Sequence, residues 1–472
     1  MAAAKIIHFL VLLLFTVLGS GCANPQARTV YKEPLGDQGE LYLYLQPLPQ
    51  EMLPLSFTIS DLSVIPEGGG TKLPILASEM IISGKEAAGA QKRLAVATLP
   101  PGRYWGVSLA IEQATMVTEH GEMELIPPAE PIRLEQSFSV LRGASLALFI
   151  DLSPEFLMSD RNRFTPRLAM GKTYMPPRNY LGFVSHTTEN IVTVFNKKRM
   201  EIIQVIHTGV APKGMALDQR NGLVYVAAAG DDVIEVINIA TLEIIGRIRL
   251  QFGDEPSELA LTPDGRTLLS ANSGSGTVSI ISTRSLSEKE RLMLDPEPVW
   301  IVAGREDAYA LHPMSNTLSV IDVTGERSPA TISLDESPLQ GSLSRDGDSL
   351  YVISEYSTTL LVVNTRSLEI SGRIFIGSNA ISIKTDLNSN RVYVGKKTGE
   401  MVVVDPSTEM FIDSFILEHG ADFIALEGEE NALLVLGNDG NSVQKLNLVS
   451  KRKLADMATE DGGHALVVMG EL

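Results

Sequence analysis

A short apolar segment recurs seven times in the last two-thirds of this 472-residue chain. Successive copies begin 42, 44, 40, 42, 41 and 42 residues apart. Their content of Val, Ile and Thr favours β-strands, and a period near 40 residues built from short strands is the signature of a β-propeller. The seven copies are Ile191–Asn196, Val233–Asn238, Thr277–Ser282, Thr317–Asp322, Thr359–Asn364, Glu400–Asp405 and Ser442–Asn447.

The two ends of the repeat region predict how the propeller closes. The region opens at Leu181–His186, which corresponds to a second strand with no innermost strand before it. It closes at His464–Met469, which corresponds to an innermost strand with nothing after it. We therefore expect seven blades, the first completed by the last strand in a one-plus-three closure. Eight partial blades would leave two unpaired edges, and unpaired edges promote aggregation.

The N-terminus reads as a secretory signal. Lys5 precedes an apolar run of 13 residues, Ile6–Leu18, and small residues lead to Cys22, the only cysteine of the chain. The Gly19-Ser20-Gly21-Cys22 segment resembles a bacterial lipobox, although Gly19 stands where Leu is usual. We expect acylation of Cys22 to anchor the protein, with an ordinary signal peptide and a stray thiol as the alternative. Ala23, rather than aspartate, after the cysteine suggests the outer membrane.

Charge and composition exclude several classes of protein. With Cys22 acylated, the chain has no disulfide, no thiolate nucleophile and no cysteine-attached haem. After Arg178 the chain carries 24 basic and 40 acidic residues, so the repeat region holds about −16 of the net charge of −18. Because phosphate contacts need a basic surface, we expect no nucleic-acid partner.

The part of the chain before the repeats predicts a second domain. Segments such as Leu55–Val64 and Ala144–Leu152 alternate or are rich in β-branched residues, and Gly/Pro turns separate them. We expect an all-β chain in which a small antiparallel β-sandwich precedes the propeller. The predicted boundaries are a signal peptide at 1–21, a tether at 22–40, the sandwich at 41–156, a linker at 157–179 and the propeller at 180–472.

Two family resemblances follow from particular motifs. The strands at Val224–Ala227, Leu350–Ile353 and Val392–Gly395 (VYVA, LYVI and VYVG) resemble the diagnostic strand of YVTN-type 40-residue-repeat propellers. The order of strands in the first domain, with the Leu99–Tyr104 turn, resembles a prealbumin-like sandwich domain of unknown function in bacterial lipoproteins. Both resemblances imply a fold, and neither implies a chemistry.

Four of the seven histidines map to the blade face that usually binds ligands in propellers. In the seven-blade arrangement they fall on consecutive blades, with acidic residues nearby. Imidazole with carboxylate suits Zn, Cu, Ni or Fe, so these residues form a speculative metal site. Polar residues of exposed loops are the alternative interpretation. The histidines are His186, His207, His419 and His464.

An acidic pattern recurs on the same face. The loops that lead into blades 3, 4 and 5 each place two carboxylates beside a proline. We interpret them either as solvated turns or as an acidic ring that attracts a basic segment or a cation. The six residues are Asp254, Glu255, Asp295, Glu297, Asp335 and Glu336.

Motifs for catalysis are missing from the sequence. No phosphate-cradling loop, HExxH, CxxCH or GxSxG occurs, so we predict no catalytic residue and no cofactor. The leading hypothesis is a lipid-anchored, non-enzymatic binding or scaffold module of the bacterial cell envelope. Its partner would be a protein, peptide or glycan. The alternative is a lactonase-like hydrolase or lyase with a metal-assisted site at the propeller channel.

Overall fold

The computed structural model describes residues 31–153, 158–159, 162–437 and 439–471, which are almost entirely β-structure. Cys22 and the predicted signal peptide lie outside the described residues. Helical structure in the described ranges is confined to single turns, none of them long or apolar enough to cross a membrane. These turns are Gln50–Met52, Gly84–Ala87, Arg178–Tyr180 and Ala229–Asp231.

The chain begins with a β-sandwich. Its strands are β1 (Gly39–Leu45), β2 (Leu55–Pro66), β3 (Leu73–Pro74), β4 (Met80–Ser83), β5 (Lys92–Leu99), β6 (Gly102–Thr118), β7 (Gly121–Leu125), β8 (Ile132–Leu134), β9 (Phe138–Val140), β10 (Ser145–Ser153), β11 (Met158–Ser159), β12 (Arg163–Phe164) and β13 (Arg167–Gly171). One sheet has the order β13-β10-β1-β5, and the other forms around the long antiparallel pair of β2 and β6. Strands β11 and β12 pair with each other.

The sandwich differs from the expected antiparallel arrangement at one pair. Strands β1 and β10 run parallel, with Leu41 opposite Leu146. Parallel neighbours need a long crossover connection, and here the chain between them contributes the whole second sheet. The direction of this pair depends on that distant connection, so the local sequence pattern does not contain it.

Part of the predicted linker belongs to the sandwich. Strand β13 pairs antiparallel with β10, with Met170 opposite Ile150. Leu168 and Met170 pack against the sandwich core. The linker prediction for 157–179 is therefore wrong at Arg167–Gly171, because a five-residue strand among prolines and arginines gives little periodic signal.

Alternate residues of β1 serve two different cores. Leu41, Leu43 and Leu45 join the core of the sandwich. Tyr42 and Tyr44 are equally buried, but they join a cluster that contains propeller residues. This explains why every side chain of the strand is buried, and why residues from Lys32 onward form one compact unit.

The repeat region forms a seven-bladed propeller. Its strands are β14 (Leu181–His186), β15 (Ile191–Asn196), β16 (Glu201–His207), β17 (Pro212–Asp218), β18 (Leu223–Ala228), β19 (Val233–Asn238), β20 (Glu243–Arg249), β21 (Pro256–Leu261), β22 (Thr267–Asn272), β23 (Thr277–Ser282), β24 (Ser287–Met293), β25 (Trp300–Ala303), β26 (Asp307–His312), β27 (Thr317–Asp322), β28 (Ala330–Ser333), β29 (Pro338–Leu343), β30 (Ser349–Ser354), β31 (Thr359–Asn364), β32 (Glu369–Phe375), β33 (Ala380–Thr385), β34 (Val392–Lys396), β35 (Glu400–Asp405), β36 (Met410–Ile416), β37 (Phe423–Glu427), β38 (Ala432–Leu436), β39 (Ser442–Asn447), β40 (Lys453–Ala458) and β41 (Gly463–Val468).

The predicted closure is confirmed. Blade 1 has the order β16-β15-β14-β41, so the last strand is the innermost strand of the first blade. Val467 lies opposite Phe183, and Leu466 lies opposite Val184. The remaining blades are formed by consecutive groups of four strands, from β17–β20 (blade 2) to β37–β40 (blade 7).

The last residue of the repeated segment explains why the repeat is so regular. It is Asn in four of the seven copies, and its side chain caps the turn between the third and fourth strands. In blade 2 the Asn238 side chain accepts hydrogen bonds from the backbone N–H groups of Ala240 and Thr241, at 2.8 and 3.2 Å. Leu242 then adopts a left-handed conformation with φ of 56°. An amide side chain offers this local bond without disturbing the strand.

Candidate functional site

The channel of the propeller is lined by the innermost strands of the blades. We call the face with the loops between second and third strands, and between successive blades, the upper face. The lower face carries the turns between first and second strands. Corresponding positions on the innermost strands of blades 3, 4, 5 and 7 are occupied by Glu258, Trp300, Gln340 and Phe423. These places position four large side chains in the channel wall.

Two aromatic side chains meet inside the channel. The rings of Trp300 and Phe423 have centroids 6.0 Å apart and are inclined by 46°. Blades 4 and 7 lie almost opposite each other in a seven-bladed ring, so this contact spans the channel. The Trp300 indole N–H donates to the carbonyl of Gly341 at 2.9 Å, which fixes the ring. The pair therefore bridges the channel between blades 4 and 7.

A cavity of about 720 Å³ lies on the lower side of this aromatic pair. Its wall includes the first turns of blades 2 and 3, near Asp218 and Gly265, as well as residues of the innermost strands. The volume is within the range of small-molecule sites, roughly 300–1,000 Å³. Aromatic, aliphatic and polar groups all line it.

Glu258 is a buried carboxyl group in the wall of this cavity. Its side chain is 5% exposed, and Oε1 accepts a hydrogen bond from the backbone N–H of Leu259 at 3.1 Å. Burial raises the pKa of Glu258 to about 8, although this backbone bond and the charge of Lys384 act in the opposite direction. A Cβ atom at Gly214 would lie 2.6 Å from Oε1, so the glycine leaves the space that the carboxyl group fills.

Lys384 contributes a cation to the same cavity. Its Nζ lies 2.8 Å from Oε1 of Glu471, and the two side chains are 29% and 14% exposed. Glu471 is held at the lower mouth by Gln219, whose amide donates to the Glu471 carbonyl at 2.7 Å. The neighbouring hydroxyl of Thr385 is buried and has no hydrogen-bond partner. The cavity thus contains an ion pair and an unused polar group.

The six predicted acidic residues lie in the upper-face loops, but they differ in their surroundings. Asp254 is 1% exposed and receives two bonds from Arg291, at 2.7 and 2.8 Å. Burial opposes ionisation, yet the bonds from Arg291 and Ser275 hold the pKa of Asp254 below its usual value. Asp254 is therefore part of the structure of blade 3 and cannot offer a free charge.

The other acidic loops are also partly neutralised. Arg373 pairs with Asp335 at 2.6 Å and lies 3.9 Å from Glu336. The Thr317 hydroxyl donates to Asp295 at 2.5 Å. Glu255 and Glu297 are exposed. Burial lowers the pKa of Lys213, and these two glutamates partly offset that effect, which places all three charges near the upper mouth.

The four predicted histidines have unequal environments. His186 is fully buried, and its Nε2 lies 3.0 Å from the Thr193 hydroxyl. Burial lowers the pKa of His186 to about 3 and also lowers that of His207. His419 and His464 are exposed. Among the residues that the structure describes, no three His, Cys, Asp or Glu side chains are grouped closely enough to hold a metal ion.

The lower cavity was missed by sequence reasoning. The innermost strands look apolar in sequence, and their polar members are isolated: Glu258 in blade 3, Gln340 in blade 5 and Lys384 in blade 6. Only the closure of the ring brings them together. A usable signal was present at Lys384, because the corresponding positions of the other innermost strands carry Ala, Val or Ser.

The chain folds as a β-propeller with a cavity at the lower mouth of its channel, and comparisons with known proteins support only the fold. No protein-family model matches the chain, and no curated protein matches it. A functionally unknown protein from Desulfotomaculum acetoxidans DSM 771 superposes with a TM-score of 0.56 at 13% identity, over 62% of this chain and 99% of that chain.

Two further solved structures are similar at a lower level. Kuenenia stuttgartiensis hydrazine synthase has a TM-score of 0.48 at 16% identity, over 61% of this chain and 94% of that chain. The dihydro-heme d1 dehydrogenase NirN, in complex with DHE, has a TM-score of 0.48 at 14% identity, over 63% and 76%. At these identities and scores, neither likeness carries an argument about the chemistry of this chain.

Proposed function

We propose that this protein is a non-enzymatic binding module of the bacterial cell envelope, anchored through acyl chains on Cys22. Its ligand occupies the lower cavity of the propeller and is a small molecule or the end of a peptide or glycan. The observation that carries the proposal is the cavity of about 720 Å³ beneath the Trp300–Phe423 pair. The YVTN-type strands and the lipoprotein-type sandwich are consistent with an exported protein of this kind.

The polar groups of the cavity support binding better than catalysis. Gln340 accepts a hydrogen bond from the backbone of Ile383 at 3.2 Å, and the Ser342 hydroxyl accepts one from the backbone of Thr385 at 3.0 Å. These side chains therefore hold neighbouring innermost strands together. Such preorganised groups, next to aromatic and aliphatic surface, are typical of ligand sites.

A cavity-filling variant tests the proposal. Ala303 lines the cavity, and no side-chain bond is lost when it is replaced. We would compare Ala303→Trp with Ala240→Trp, which adds the same ring at an exposed turn of the lower face. Peptides, oligosaccharides and small metabolites would be screened by thermal shift. A ligand of the cavity should stabilise the wild type and Ala240→Trp, but not Ala303→Trp. Equal stabilisation of all three proteins would refute the site.

One observation favours the alternative of a hydrolase or lyase. Glu258 is the one ionisable group of the cavity whose raised pKa would let it act as a general acid at neutral pH. The metal-assisted form of this alternative does not fit, because the described residues provide no grouped metal ligands. The test is turnover of a lactone panel by the wild type and by Glu258→Gln. Turnover that the variant loses would replace the binding proposal.

A further inference from the structure

We infer that the lower cavity takes a small organic acid, whose carboxylate binds Lys384 in place of Glu471. This inference rests on the proposed function, because it names the chemical class of the ligand in the same cavity. It goes beyond that function by assigning a specificity residue, Lys384, and a side chain that competes with the ligand, Glu471.

The geometry at Lys384 favours a carboxylate. A carboxylate already lies 2.8 Å from its ammonium group, in a charge-assisted hydrogen bond. That carboxylate belongs to the side chain of Glu471, while the backbone around Glu471 is held separately. Gln219 receives a bond from the Gly470 N–H at 2.9 Å and donates to the Glu471 carbonyl at 2.7 Å. Oε1 of Glu471 also accepts a bond from the backbone N–H of Leu426 at 3.3 Å, so release of the side chain breaks these two contacts but leaves the backbone of Glu471 in place.

The balance of charge in the cavity favours an anion. Its ionisable lining residues are Asp218, Arg220, Glu258, Lys384 and Glu471. Asp218 already accepts bonds from the backbone and side chain of Asn221, at 3.0 and 2.8 Å. Burial keeps Glu258 protonated near neutral pH. When the Glu471 side chain turns into solvent, two cations and one anion remain, so the cavity attracts a monoanion.

The surface that surrounds the Lys384 cation favours a ligand with an apolar body. Trp300, Phe423, Leu466 and Val467 provide aromatic and aliphatic surface in the same cavity. A carboxylate on a mainly apolar body fits this combination better than an inorganic anion.

The test uses benzoate and benzamide, which have the same shape but differ in charge. All proteins would be full-length chains that carry Trp105→Phe, so that Trp300 is the only indole and its fluorescence reports on the cavity. Benzoate should bind the reference protein, and benzamide should bind it at least tenfold more weakly. Lys384→Met should lose the preference for benzoate.

Glu471→Gln distinguishes binding from a structural effect. A tethered carboxylate competes at an effective concentration in the millimolar range. Its removal should therefore tighten benzoate binding several-fold and leave benzamide unchanged. A merely structural role of the Lys384–Glu471 pair would weaken binding in this variant instead.

Each outcome decides the inference. If benzoate and benzamide bind equally, and Lys384→Met binds both, the cavity is a binding site without carboxylate specificity, so the inference falls and the proposed function stands. If Glu471→Gln weakens benzoate binding, the inference is overturned. It is also overturned if neither benzoate nor benzamide binds the reference protein or Glu471→Gln at millimolar concentration. The proposed function is judged separately by the comparison of Ala303→Trp with Ala240→Trp.

Discussion

Replacement of Glu258 by glutamine should change how the stability of the protein depends on pH. Glutamine has the shape of the protonated side chain and cannot ionise. In the folded protein, burial raises the pKa of Glu258 from 4.5 to about 8. Between these two values the folded state holds a proton that the unfolded state has released, so folding takes up a proton. The contribution of Glu258 to stability is therefore greatest at low pH and falls as the pH rises towards 8.

The size of this effect follows from the same shift. Each pH unit between the two pKa values changes the free energy of unfolding by about 1.4 kcal/mol, and the whole window is worth on the order of 5 kcal/mol. That is comparable with the total stability of many domains, about 5–15 kcal/mol. Relative to Glu258→Gln, the wild type should lose about 3 kcal/mol between about pH 5 and about pH 7.5.

The assay is urea unfolding at several pH values, followed by circular dichroism, for the wild type, Glu258→Gln and Glu243→Gln. Glu243 is exposed on the outermost strand of blade 2, so its replacement controls for the loss of one negative charge. Because the other ionisable groups are the same in each pair, they cancel in the difference. If plots of the free energy of unfolding against pH stay parallel for the wild type and Glu258→Gln from acid to neutral pH, Glu258 is not held protonated. It would then no longer be a candidate general acid.

Three further predictions concern closure, the upper face and the membrane anchor. Leu466 on the closing strand is fully buried, so Leu466→Ala should lower the free energy of unfolding by about 3 kcal/mol. Leu454 is 53% exposed, so Leu454→Ala should lower it by at most about 1 kcal/mol. Equal melting temperatures of the two variants would contradict the one-plus-three closure. Asp254→Asn removes the carboxylate that receives two bonds from Arg291 and leaves Glu288 as the carboxylate paired with that arginine, so it should cost about 2 kcal/mol in thermal or urea unfolding. Glu255→Gln and Glu297→Gln should stay within about 0.5 kcal/mol, and the reverse order would show that Asp254 is a free surface charge. Cys22→Ala should abolish palmitate labelling and release the protein from the membrane fraction, and a wild type that takes up no label would show that Cys22 is not acylated.

The fold was predictable from sequence because its information is local and repeated. Each copy of the repeated segment contains its own capping residue, such as Asn238, and glycines supply the first turns: Gly265 and Gly347 have φ of 73° and 78°. The closure followed from the ends of the repeat region, because only an innermost strand was missing from blade 1. The parallel pairing of β1 with β10 was missed because it depends on a crossover of about 100 residues, which no local pattern records.

The candidate site was less predictable for a different reason. Glu258, Lys384 and Glu471 are far apart in the chain and become neighbours only around the closed channel. The acidic loops, in contrast, are conspicuous in sequence. The arginines that pair with two of these loops lie on the outermost strand of the blade into which each loop leads. Arg291 and Arg373 occur at corresponding positions of blades 3 and 5, and sequence reasoning did not connect them with Asp254 and Asp335. A count of charges therefore overestimated the free negative charge of the upper face.

A crystal structure of the protein grown with benzoate at millimolar concentration tests the central claim most directly, because it locates a bound ligand. The account predicts a benzoate in the lower cavity, with its carboxylate about 3 Å from the Lys384 ammonium group, its ring against Trp300 and the Glu471 side chain turned away. A benzoate on the upper face, or a Glu471 that remains on Lys384 while the cavity stays without benzoate, would contradict it.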